Sequence, residues 1–277
     1  MSDGGKSWLK GCGIGCGVVL LLAIALGIGG GLMIKRTIDS VEETGDSLEA
    51  LDAEFGGVGD FTPAADGRVP ADRIEAFLAV RSSSESRRLA TSDILTKLDS
   101  PGPGGALNIL QKIRSGLKLL PELKRFVDVR TEAMREQEMG QGEYFYLYGL
   151  IYYSWLGNSP ADGPAFRITG DDDDRDSGDE EVRSDRLGEA LDYLNWSGRR
   201  WLANQLDAID SRSDPDAGWR AAVAAELEAL ESDGYRMPWR DGPPERTVAS
   251  LDPYRDRLEA GYDEMTNALE FMVDHRH

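Results

Sequence analysis

Histidine and cysteine are nearly absent from this sequence of 277 residues. The two histidines, His275 and His277, lie at its last positions, where chains are generally poorly ordered. An enzyme with a histidine base or a three-histidine metal site is therefore excluded. Both cysteines, Cys12 and Cys16, lie in one apolar run, so the rest of the chain has no disulfide, no thiolate metal site and no cysteine nucleophile.

Positive charge is also scarce. Acidic residues number 50 against 31 basic ones, which gives a formal net charge of −19, and only 7 of the basic residues are lysines. A surface of this kind repels phosphate backbones, and the sequence contains no local basic patch. We therefore expect no nucleic-acid partner.

One long apolar run is present, and it contains no charge over residues 11–34. A helix of that length covers roughly 36 Å, against about 30 Å for the hydrocarbon core of a bilayer. A cleaved secretory signal is the alternative, because Ala23-Ile24-Ala25 offers a cleavage motif, but the run continues well past it. We predict a transmembrane helix over 11–34 that follows a short N-terminal tail, 1–10, and contacts the lipid bilayer.

The orientation of this helix depends on the basic residues at its two ends. Lys6 and Lys10 precede the run and Lys35 and Arg36 follow it, so the positive-inside rule gives a tie. The very short N-terminal tail favours an N-terminus inside the cell. We expect a single-pass protein of the cytoplasmic membrane with its acidic domain outside.

Small residues cluster on one face of the predicted span. Gly13, Gly17, Gly27 and Gly31 share this face at 100° per residue. Such a stripe lets helix backbones approach closely and predicts a homo-oligomer formed through the span. The alternative is that glycine is simply common in membrane helices.

Helical periodicity dominates the rest of the chain. It continues over 35–55 as a predicted stalk, and glycine and proline in 56–70 then predict a linker. From residue 71 onward every periodic segment has the helical period. We predict an all-α fold, in which one transmembrane helix is followed by a soluble bundle of about six to seven helices over 71–277.

Three predictions within this bundle are specific. A helix is expected over 71–99, and another from residue 106, in which Pro121 either kinks the helix or opens a third one. A stripe from Tyr254 through Leu258, Tyr262 and Leu269 predicts one continuous helix of about five turns near the C-terminus.

The segment GEYFYLYGLIYYSWLG, residues 142–157, is apolar on every side. Such a helix belongs at the centre of a bundle, although a second membrane helix or a re-entrant segment is an alternative. Together with MPWRDGPPERTVASLDPYRDRLEAGYDEMTNALEFM, residues 237–272, it resembles an uncharacterised group of bacterial single-span membrane proteins. This resemblance implies the same architecture and no particular activity.

Acidic residues are densest in the connection 158–186, which we expect to be a mobile loop. Asp172, Asp174 and Asp176 occupy the first, third and fifth positions of a calcium-binding loop. The match then fails, because Ser177 replaces the required glycine and Arg183 the closing glutamate. The segment is therefore either a Ca²⁺ site or a solvated acidic loop.

Two further places carry candidate site residues. Glu143 begins the aromatic segment and is either a functional acid or a first-turn residue that faces the helix dipole. Arg199 and Arg200 lie between two tryptophans and could bind an anionic or aromatic ligand through cation–π contacts. Alternatively, the tryptophans pack inward and the arginines pair with surrounding acids.

The sequence identifies no catalytic residues, and three functions remain. The first is a non-enzymatic single-pass membrane protein whose acidic helical domain serves protein–protein interaction or envelope scaffolding, with a protein partner or with its own copies. The second is an envelope hydrolase that works through carboxylates, with or without a hard metal ion. The third is a ligand-binding or sensory domain built around the tyrosine-rich helix.

Overall fold

The computed structural model describes residues 45–99, 106–164 and 179–270, and these residues form helices, turns and loops without a strand. The predicted all-α class is therefore confirmed. Residues 45–55 are helical, and the longer elements that follow are α1 (Ala71–Asp99), α2 (Ala106–Glu136), α3 (Gln141–Tyr148), a π-helix (Gly149–Trp155), α4 (Asp179–Asp210), α5 (Ala217–Ser232), α6 (Glu245–Leu251), α7 (Arg255–Ala260) and α8 (Asn267–Glu270). Short 3₁₀ turns cover Val58–Asp60 and Asp252–Tyr254.

A helix that combines the length and apolar character needed to cross a bilayer does not occur among the described residues. The predicted span, 11–34, and the glycine stripe of Gly13, Gly17, Gly27 and Gly31 lie outside them. Both remain predictions.

The two longest neighbouring helices, α1 and α2, pack along each other as an antiparallel pair. Arg81 of α1 and Arg130 of α2 meet at the same Glu270 carboxylate, whereas Arg87 lies 3.6 Å from Glu122, so residue numbers rise on one helix as they fall on the other. Helix α2 runs as one element through Pro121, whose side chain is exposed. The proline therefore does not open a separate helix.

The aromatic segment forms the centre of the bundle, as its uniformly apolar character predicts. Its side chains from Tyr144 to Tyr153 are buried almost without exception, and they stack on one another and on α1 and α4. The α-helix gives way to a π-helix at Gly149. The side-chain hydroxyl of Ser154 is shared between two backbone carbonyls, those of Gly149 (3.3 Å) and Pro238 (2.7 Å).

The residues predicted as a linker lie along α4 and α3. Trp201 of α4 donates from its indole nitrogen to the Val58 carbonyl (2.7 Å), and Asn204 donates to the carbonyls of Gly59 and Phe61. Leu51, in the helical segment before them, is fully buried. Backbone carbonyls that have no helical partner are satisfied in this way by α4 side chains.

The continuous helix predicted from Tyr254 onward is wrong. Helix α7 ends at Ala260, residues 261–266 form turns, and a single turn of helix, α8, resumes at Asn267. The apolar stripe suggested helical spacing, but polar contacts of the intervening residues with the core determine the backbone path here. The carbonyl of Gly261 leaves the helix and accepts hydrogen bonds from Arg81 and Arg88.

Candidate functional site

The inner face of α1 is polar over its middle turns. Buried positions recur along α1 at alternating steps of three and four residues, the spacing of a helix seam that faces a partner. The seam is apolar at Ile74 and Phe77 and again at Leu95. Between these apolar ends it consists of Arg81, Ser84, Arg88 and Thr91, each at most 4 % exposed.

A buried ion-pair network begins at Arg81. Its guanidinium bonds to the carboxylate of Glu270 and donates to the Tyr144 hydroxyl (2.9 Å). From the other side, Arg130 of α2 donates to the same carboxylate (2.9 Å) and to the Glu270 carbonyl (3.0 Å), while the Tyr144 hydroxyl donates to the carboxylate at 3.0 Å. Three helices, α1, α2 and α3, are thereby joined to α8 through one glutamate.

The electrostatics of this network favour its charged form. Burial alone raises the pKa of Glu270, but Arg81 and Arg130 outweigh burial and hold that pKa below its ordinary value of 4.5. Burial likewise opposes the charge of Arg81, yet the Glu270 carboxylate keeps the pKa of Arg81 well above its ordinary value. Burial raises the pKa of the Tyr144 hydroxyl, which therefore stays a neutral donor. Arg81 also faces the rings of Tyr148 and Tyr152 at 5.2 and 5.6 Å.

One turn earlier in the chain, Asn267 joins α8 to the aromatic centre. Its side-chain oxygen accepts hydrogen bonds from the hydroxyls of Tyr148 (3.1 Å) and Tyr153 (2.8 Å). Its amide nitrogen faces three backbone carbonyls, those of Ser159, Pro160 and Asp162. The amide thus satisfies two buried hydroxyls and orders the loop that follows the π-helix.

Arg88 differs from Arg81 and Arg130, the other two buried arginines of this region, because it has no carboxylate partner among the described residues. It is 4 % exposed, and its hydrogen bond goes to the Gly261 carbonyl, which Arg81 also contacts. The Nε atom of Arg88 and the hydroxyl of Thr91, one turn further on the same face, are buried and have no hydrogen-bond partner within the described part of the chain.

Glu143, a candidate acid from the sequence, is held by an arginine. Arg73 donates to its carboxylate from Nε (2.7 Å) and from Nη2 (2.6 Å), and also contacts the carbonyls of Gln137 and Glu138 that precede α3. Glu143 lies in the first turn of α3, where a negative charge also faces the helix dipole. The carboxylate thus fixes the start of α3 against α1.

The other predicted site residues do not join this network. Arg199 and Arg200 are exposed on α4. Arg200 donates to the Gly59 carbonyl over a long distance (3.4 Å) and lies 4.0 Å from Asp60. Asp172, Asp174 and Asp176 lie outside the described residues. Within the ranges that the structure describes, no group of three or more metal-ligating side chains occurs, and Ca²⁺ binding stays a prediction.

A surface groove of about 650 Å³ lies away from the buried network. Most of its lining is apolar and comes from Ala64, Ala65, Val69, Pro70, Ala71, Pro253 and Tyr254. Arg68 and Arg212 line it and are exposed, and neither has an ion-pair partner in the described part of the chain. Asp66 also lines the groove, where its carboxylate accepts from the Arg68 backbone nitrogen (3.0 Å).

Comparison of the chain with protein-family models, curated proteins and solved structures finds no match. The site must therefore be interpreted from its own chemistry.

The central residues of the buried network, Arg81, Arg88, Arg130 and Glu270, are missing from the sequence-based candidates. The spacing of α1 contained a usable signal. Arg81 and Arg88 lie in register with Phe77 and Leu95, at positions that a seven-residue repeat places inside. A charged residue at such a position signals a buried charge that needs a counterion.

Proposed function

We propose that this chain is a non-enzymatic, single-pass membrane protein whose acidic helical domain binds a protein partner. The apolar run over 11–34 supports the membrane anchor. Glu143 is bound in an ion pair with Arg73, and Glu270 is buried between two arginines. This use of acidic side chains within the fold favours an interaction domain over a carboxylate-based hydrolase.

The groove lined by Arg68 and Arg212 is the observation that carries the proposal. The chain has a net charge of −19, yet two arginines without ion-pair partners in the described residues line one concave, largely apolar surface. Guanidinium groups bind carboxylates through paired hydrogen bonds. The chemistry fits an extended, acidic segment of a partner protein whose small apolar side chains contact Val69 and Pro253.

Other classes of partner fit this surface less well. Nucleic acid is an extended polyanion and an anionic bilayer presents an extended negative surface, and the acidic surface of the chain repels both. A short acidic segment can instead place its few negative charges at Arg68 and Arg212, away from the acidic residues of the remaining surface. Electrostatic complementarity at a groove of this kind adds specificity and speeds association.

Photo-crosslinking in the native membrane tests this function. A photoreactive phenylalanine analogue at position 253 of the full-length chain should form a covalent adduct with a second protein, and the same analogue at exposed position 235 should not. The adduct should disappear in the double variant Arg68→Glu/Arg212→Glu and persist in Arg199→Glu, which changes an exposed arginine outside the groove. An adduct that survives the double variant contradicts the proposal, and an adduct of twice the mass of the chain shows that copies of the chain bind each other there.

A further inference from the structure

The buried network contains more positive than negative charge. Arg81, Arg88 and Arg130 are 2 %, 4 % and 1 % exposed, and among the described residues only Glu270 supplies a carboxylate to them. Glu270 bridges Arg81 and Arg130, which leaves Arg88 with a backbone carbonyl alone. Burial of a charge without a counterion is strongly unfavourable, and native proteins almost always supply a partner.

Two of the buried polar atoms that lack a hydrogen-bond partner among the described residues lie close together on the inner face of α1. They are Arg88 Nε and the Thr91 hydroxyl, which lie three residues apart. Arg130 Nε, on the facing helix, also lacks such a partner. Donors left buried without acceptors are rare in native structures, and each one needs an explanation.

We propose that the polar seam of α1 binds a small oxyanion between Arg88 and Thr91. Such an anion carries the negative charge that Arg88 lacks and the lone pairs that Arg88 Nε and the Thr91 hydroxyl require. A water molecule can accept the hydrogen bonds, but it carries no charge and therefore leaves the Arg88 guanidinium without a counterion.

The ligand class follows from the donors. A guanidinium edge and a hydroxyl bind phosphate, sulfate or carboxylate oxygens, and they select oxygen-rich anions over chloride by geometry. The Gly261 carbonyl accepts a hydrogen bond from Arg88 Nη1, which helps to fix the position of the guanidinium group. The seam is therefore a second site, chemically separate from the groove.

Thermal unfolding of the full-length chain in detergent tests the site, with inorganic phosphate, sulfate and acetate each compared with sodium chloride at equal ionic strength. At a hundredfold excess over the dissociation constant, a bound ion should raise Tm by roughly 5–10 °C. Arg88→Met should abolish the rise. Thr91→Val, which keeps shape and charge, should weaken binding by about five- to tenfold.

Arg87→Met is the matched control, because Arg87 is the exposed neighbour of Arg88 and lies at a long distance, 3.6 Å, from Glu122. This variant should keep the full response. The proposal is overturned if none of the three oxyanions stabilises the natural chain beyond chloride, or if Thr91→Val and Arg88→Met both keep the natural response. If Arg88→Met fails to fold, the oxyanion affinity of Thr91→Val tests the site. An affinity equal to that of the natural chain then overturns the proposal.

Discussion

Arg130 contacts Glu270 twice from a single guanidinium nitrogen, at the carboxylate (2.9 Å) and at the backbone carbonyl (3.0 Å). The two residues are 140 positions apart in the sequence, so this contact fastens the end of the described chain to α2. The carboxylate also pairs with Arg81, so one acidic side chain holds two buried cations.

Removal of that charge should strongly destabilise the fold. Glu270→Gln keeps the shape of the side chain but leaves Arg81 and Arg130 without a counterion, and loss of one partner of a buried pair costs about 3–5 kcal/mol. Urea denaturation should therefore show a large fall in the free energy of unfolding. Glu264→Gln, an exposed acid on the same segment, should change it by less than about 0.5 kcal/mol. Equal effects of the two variants would contradict a special role of Glu270.

The contribution of Glu270 should also depend on pH in a defined direction. Its pKa is lowered in the folded chain, so its stabilising effect is fully present above the ordinary value of 4.5 and is lost as pH falls through the folded pKa. The difference in unfolding free energy between the natural chain and Glu270→Gln should stay constant from about pH 7 to 5.5 and shrink below about pH 4.5. A difference that grows with acidification would show that the sign is wrong.

Two glycines of α4 offer a test of the packing. A Cβ at Gly198 would lie 2.3 Å from Pro238, whereas a Cβ at Gly188 would meet nothing within 4 Å. Gly198→Ala should cost about 1–3 kcal/mol through overpacking. Gly188→Ala should stabilise by about 0.5–1 kcal/mol, because alanine loses less backbone entropy in a helix. Thermal melts of both variants measure the contrast, and a stabilised Gly198→Ala would show that the helix and Pro238 are not in close contact.

Membrane topology can be measured directly by protease protection. In spheroplasts of the host cell, we expect added protease to digest the helical domain while the segment around 11–34 stays with the membrane. A C-terminal tag and the mass of the full-length chain, followed on one gel, report digestion and cleavage together. Protection of the domain would place it in the cytoplasm, and a shortened mass before digestion would indicate a cleaved signal.

The sequence predicts the helices of this domain better than it predicts the site, and α1 shows why. Its bounds and its apolar ends, Ile74, Phe77 and Leu95, follow from periodicity. Arg81 and Arg88 occupy the same seam, but a search for apolar periodicity does not detect them, because arginine is charged. Their burial depends on Glu270, which no local pattern connects with α1.

The opposite error occurred near the C-terminus. Tyr262 and Leu269 fit a helical stripe with Leu258, and local spacing alone predicts a continuous helix. The turn after Ala260 forms because its residues make hydrogen bonds to other elements. The Gly261 carbonyl accepts from Arg81, and the Asn267 side chain accepts from Tyr148 and donates to the Asp162 carbonyl. Long-range polar contacts of this kind outweigh local propensity, and they are invisible in a single sequence.

The place of Glu270 in the chain has a consequence for biosynthesis. The ribosome synthesises both arginines long before Glu270. Arg81 precedes it by 189 positions and Arg130 precedes it by 140 positions. During that interval the nascent chain holds both cations and the aromatic helix that surrounds them, but lacks the carboxylate that lets them be buried together. The core can therefore close only when synthesis has passed Glu270. Ribosome stalling or premature termination upstream would yield a product with exposed aromatic surface, a substrate for chaperones and proteases.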